Sequence, residues 1–131
     1  ITELRREASS QGIQVTLHRR PDAREDETRL ETVCYRIPWP DDSCRQSWVL
    51  HRYSGRGWES ACSGWLWTIS QAPPEWDHKL PELVTSLPSG VSAIVANNTG
   101  IGVIWNERED ADDLVKIVEN LKKLQSWAKK I

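Results

Sequence analysis

Residues 110–130 place Ala111, Leu114, Ile117, Val118, Leu121, Leu124 and Ala128 at three- and four-residue steps. That spacing puts them on one side of an α-helix. A stripe of this length has to be buried, so the rest of the chain must supply an apolar surface to receive it. Asp110, Asp112 and Asp113 open the segment, and Lys122, Lys123, Lys129 and Lys130 close it. This charge order complements the helix dipole at both ends.

Upstream the pattern changes to a period of two, the mark of a strand with one solvated face. In residues 11–19, Ile13, Val15 and Leu17 alternate with Gln14, Thr16 and His18. A short helix or a linker stump over residues 2–9 precedes this strand. A charged loop over residues 20–28 follows it, and residues 30–37 predict a second strand with Val33, Tyr35 and Ile37 on one face. Two prolines around Trp39 interrupt pairing, and residues 44–53 and 58–70 predict a third and fourth strand. Ser54-Gly55-Arg56-Gly57 between them has the glycine placement of a two-residue hairpin loop.

That loop predicts a register in which Tyr53 faces Trp58, His51 faces Ser60 and Val49 faces Cys62. Alternation then sends Trp48, Leu50, Ala61, Trp65, Trp67 and Ile69 inward. It leaves Val49, His51, Tyr53, Trp58, Ser60 and Cys62 on a more accessible face. Residues 81–87 predict a short helix with proline in its first turn. Residues 91–96 and 101–105 predict a second hairpin around Asn97-Asn98-Thr99-Gly100, apolar on both faces and so covered on both. The reading is α+β: an antiparallel sheet in the order ββββ-α-ββ-α, with the long amphipathic C-terminal helix packed on it.

At 131 residues the chain fits one domain spanning 1–131, with no internal repeat. It contains no methionine and opens on Ile1-Thr2-Glu3, which reads as a segment cut from a larger protein. With 17 basic and 19 acidic side chains there is no net field to gather nucleic acid or an anionic membrane. No apolar run approaches the ~20 residues that cross a bilayer. An odd cysteine count (Cys34, Cys44 and Cys62) fits free thiols in a cytoplasmic setting better than a disulfide scaffold. Eight tryptophans against no phenylalanine exceed what a core of this size takes up, so some belong to a contact surface.

Four constellations could carry chemistry. His51 diagonally across from Cys62 would suit thiol activation, but no third group orients the imidazole and no oxyanion donors are evident. Cys34, Cys44 and Cys62 with His18, His51 or His78 are zinc-type ligands, yet none of them form the close pairs that zinc sites show. Arg36, Arg45, Arg52 and Arg56 interleave with Tyr35, Trp39, Trp48, Tyr53 and Trp58, a composition shared by single-strand nucleic-acid platforms and protein interfaces. Trp39, Trp58 and Trp76 lie near loops, where flat rings could stack on glycans. Asn97-Asn98-Thr99 matches a glycosylation triplet and is explained as well by a turn. No phosphate-loop, nucleophile-elbow, zinc-protease or calcium-loop motif occurs, so no cofactor and no metal is expected.

These observations favour a non-catalytic protein–protein interaction or regulatory domain. Its partner would be another protein or the remainder of the parent chain, and its contact surface Trp39, Arg52, Arg56 and Trp58. A ligand-binding sheet for single-stranded nucleic acid or glycan, and a small thiol enzyme using Cys62 with His51, are the alternatives.

Overall fold

The computed structural model describes residues 2–19, 31–53, 55–107 and 111–130. The elements run α1 (Thr2–Ser10), β1 (Gln14–Arg19), β2 (Glu31–Ile37), β3 (Trp48–His51), β4 (Trp58–Glu59) and β5 (Leu66–Thr68). There follow α2 (Leu80–Thr85), β6 (Val91–Asn97), β7 (Gly100–Trp105) and α3 (Ala111–Lys130). The class is α+β, as the pattern predicts. The charged loop of residues 20–28, together with Leu30, Ser54 and Asp110, lies outside the described residues.

All seven strands form one antiparallel sheet in the order β1-β2-β7-β6-β3-β5-β4. This corrects the four-strand meander. Strand β2 pairs with β7 rather than with β3, and the later β6–β7 hairpin is inserted between them. The reason is burial. All six residues of β7 are buried, as are Val91 and residues 93–96 of β6. A strand apolar on both faces gains most in the middle of a sheet, where neighbours flank it on both sides. Nearness in sequence lost to that gain.

One face of the sheet carries the main core. Tyr35, Val103, Ile94, Leu50, Trp67 and Trp58 succeed one another as cross-strand partners from β2 to β4. Against this face lie Leu80, Leu83 and Val84 of α2 and Leu114, Ile117, Val118, Leu121, Leu124 and Ala128 of α3. The α3 stripe is thus buried as its spacing requires, leaving Val115 exposed on the far side. Trp48 meets Trp67 edge to face, with ring centroids 5.7 Å apart, and stacks at a tilt on Trp76 at 5.5 Å. The opposite sheet face holds a smaller buried group: Cys34, Val49, Ala93, Val95 and Ile104.

The hairpin loop at residues 54–57 needs a second correction. Strand β4 does not pair with β3; β5 lies between them, so Leu50 faces Trp67 and His51 faces Leu66. Gly57 serves close approach instead. A Cβ there would sit 2.1 Å from the Trp67 carbonyl oxygen, and its φ of 119° disfavours any other residue. The reversal that joins β4 to β5 falls at residues 60–65, inside the segment predicted as one continuous strand. Ser60 Oγ donates to the Trp65 carbonyl at 2.7 Å and accepts from Cys62 N at 3.1 Å, while Gly64 takes φ 82°. A side-chain hydroxyl that can replace ladder hydrogen bonds favours such a turn over a strand.

The predicted third strand is likewise shortened. Asp41 caps a 3-10 turn at Asp42–Cys44 by accepting from Ser43 N at 2.9 Å, so extended pairing begins only at Trp48. Ala61 and Ile69, expected inside, are exposed, whereas Val49, His51 and Cys62 are buried. Leu17 is exposed too, because β1 is the sheet edge.

Candidate functional site

The open end of the sheet is built from β4, β5 and the three residues after β5. Trp58 closes the core row described above. Its ring follows the alternation toward the helical face, but at the last strand it remains 43% exposed. The indole Nε1 donates to Gln71 Oε1 at 2.8 Å, which fixes the ring's orientation. An aromatic ring anchored at one end and accessible on its faces loses little entropy when a partner covers it.

Beside it the backbone of β5 is distorted. Ser70 N donates to the Thr68 carbonyl at 2.7 Å, closing a three-residue turn around Ile69, whose φ is 67°. This is the strained form of the γ-turn, and a β-branched residue resists positive φ more than most. The ladder then resumes, since Val49 N donates to the Ser70 carbonyl at 3.2 Å. Ile69 is therefore extruded as a bulge, 75% exposed, on the segment that also anchors Trp58 through Gln71. A strained, exposed isoleucine persists only where surrounding contacts impose it.

The other expected contact residues are placed differently. Trp39 is in the core, its Nε1 donating to the Asn97 carbonyl at 2.6 Å. Arg52 is half-buried and donates to the Val91 and Pro88 carbonyls at 2.8 and 2.6 Å. Its guanidinium carbon lies 4.8 Å from the ring centres of both Tyr53 and Trp65. Arg52 is a staple between β3 and the start of β6. That role also explains Tyr53, which adopts φ 69° while its hydroxyl donates to the Ser89 carbonyl at 2.8 Å. Arg56 is half-buried in the connection to β4. Of the four, Trp58 alone presents a large exposed apolar surface.

The remaining constellations are not assembled. Tyr35, Trp39 and Trp48 are buried on the helical side, so the aromatic and arginine side chains do not share an open face. Trp76 is fully buried, which leaves Trp58 without the other two rings of a glycan platform. Cys62 joins the main core, whereas His51 follows Val49 onto the opposite sheet face. Among the described residues no group of three or more His, Cys, Asp or Glu side chains could hold a metal, and all three cysteines are free and buried. No described helix is long and apolar enough to cross a membrane.

Burial pushes the Cys62 thiol up to about 11, against an opposing hydrogen bond with Ser60. A raised pKa disfavours the nucleophilic thiolate at neutral pH. We expect iodoacetamide to modify Cys62 in the folded chain at least ~10-fold more slowly than a free cysteine. Peptide mass spectrometry over a time course measures this, and modification at the free-cysteine rate would contradict it.

Scans against protein families, curated proteins and solved structures found no match. The sequence reading expected Trp58 to be accessible, as it is, and placed Ile69 inside, where it is not. The residues around it, Leu66-Trp67-Thr68-Ile69-Ser70, read as an unbroken strand, and nothing local marks a γ-turn. Only the need for Val49 to meet both Thr68 and Ser70 creates it.

Proposed function

We propose that the chain is a non-catalytic protein-interaction domain that docks an apolar segment of a partner protein at the open end of its sheet, with Trp58 and Ile69 as anchors. The observation that carries this reading is the extrusion of Ile69 in strained backbone next to a fixed, accessible tryptophan. Two large apolar side chains held at one edge meet the pattern of a few anchors surrounded by polar rim, here Glu59, Gln71 and Ser70. Strand β4, Trp58–Glu59, is the last in the strand order, the position at which a partner segment would add to the sheet. Buried thiols and an arginine already bonded to two carbonyls support a binding role over a chemical one.

The test separates docking from stability. Ile69→Gly removes the positive-φ penalty, and the lost side chain was mostly in water, so stability is expected to rise by roughly 1 kcal/mol. For a domain of this size that is about 3–5 °C in Tm. The same substitution is expected to abolish partner retention in quantitative affinity enrichment from the native source, as is Trp58→Ala. Val115→Ser, on the exposed side of α3, serves as the control that retains it. Unchanged enrichment with Ile69→Gly or Trp58→Ala would overturn the proposal.

A further inference from the structure

Helix α1 is the least self-sufficient element of the fold. Its nine residues, Thr2–Ser10, include only two apolar side chains, Leu4 and Ala8. A helix this short does not persist in water by itself. Ala8 is fully buried and Leu4 partly so, which supplies a small apolar contact with β1 and α3. A second attachment is ionic. Arg5 Nε and Nη2 donate to Glu107 Oε2 and Oε1, each at 2.8 Å, in a two-pronged pair.

Glu107 is built to receive it. It lies two residues past the end of β7, is 6% exposed, and adopts φ 56°, an unusual conformation for a glutamate. The Tyr35 hydroxyl donates to its Oε2 at 2.6 Å, so the carboxylate is oriented from the sheet side whether or not α1 is present. At its C-terminal end the helix is closed by Gly12, whose φ of 82° lets Gly12 N donate to the Ser9 carbonyl at 3.1 Å and Ile13 N to the Ala8 carbonyl at 3.0 Å, so α1 keeps its shape as one unit. Among the described residues the helix is thus held to the sheet by a charged clasp and a small apolar contact, and is closed on itself by the cap at Gly12.

We infer that α1 is a latch that opens and closes as a unit on an otherwise intact sheet, with Arg5–Glu107 as the clasp. Opening leaves Glu107 anchored by Tyr35 and uncovers the apolar strip around Ile13 that Ala8 closes. The open state therefore presents a carboxylate beside apolar surface. Local openings of this kind exchange amide hydrogens without global unfolding.

Hydrogen exchange followed by mass spectrometry on the whole chain tests this. Amides of residues 6–10 are expected to exchange at least ~100-fold faster than those of residues 117–124 in α3. Arg5→Ala is expected to speed α1 a further ten- to hundredfold and leave α3 unchanged, as removal of a charge-assisted pair implies. Arg5→Lys, which keeps charge but loses the second prong, should fall between. If α1 exchanges at the rate of α3, or Arg5→Ala speeds both alike or neither, the latch is refuted.

Discussion

Replacing Trp76 with alanine is expected to destabilise the chain by about 3–5 kcal/mol, whereas Trp76→Phe should cost about 1 kcal/mol or less. Trp76 is fully buried, lies 5.5 Å from Trp48 and 6.5 Å from Trp127 between ring centres, and belongs to the 3-10 turn Pro74–His78. Removing it leaves a cavity under three elements at once, so the surroundings cannot collapse easily. The contrast with phenylalanine comes from the indole N–H. Among the described residues Trp76 Nε1 is buried without a hydrogen-bond partner. An unmade bond already charges the native state its desolvation, and phenylalanine removes that penalty together with the smaller ring. Urea denaturation of the two variants measures the difference. Equal losses for alanine and phenylalanine would show that the N–H, not the ring, carries the stability.

Gly57→Ala is expected to cost about 2–4 kcal/mol, with the damage concentrated at β4. The new methyl would sit 2.1 Å from the Trp67 carbonyl oxygen, a backbone atom that cannot rotate away. Pairing of Trp58 with Trp67 and of Glu59 with Leu66 must then open. Because β4 is only two residues long, detaching it limits the global loss. Trp58 should lose its bond to Gln71 and become more solvated, which red-shifts tryptophan emission. The substitution should also reduce docking at the sheet end while α3 keeps its protection against hydrogen exchange. A variant with unchanged emission and unchanged stability would refute the close approach of Gly57 to β5.

Both predictions lie in parts of the chain that sequence reading handled unequally. The tryptophans Trp48, Trp65 and Trp67 were expected inside and are inside, although the β3–β4 register from which this was read does not form. Trp39 was assigned to the contact surface, and Trp76 was weighed as part of a glycan platform; both are buried. Nearness to proline-rich loops suggested exposure, yet those loops fold back over the helical face of the sheet. Arg52 was expected to anchor a partner, but its guanidinium is occupied by two carbonyls that residues 88–91 bring to it. The partners of a long cationic side chain, unlike its period, leave no trace in the local sequence.

What the sequence determined by itself is periodic: a two-residue alternation in the strands, a 3.6-residue stripe along α3, the β6–β7 hairpin, and hence an α+β class. These follow from which side chains water rejects, a property each segment carries alone. Strand order, the crossing of β5 between β3 and β4, the extrusion of Ile69 and the seating of Glu107 under α1 were decided only in three dimensions. Each depends on which distant segment buries the most apolar surface against a given face, and that competition is settled by the whole chain at once.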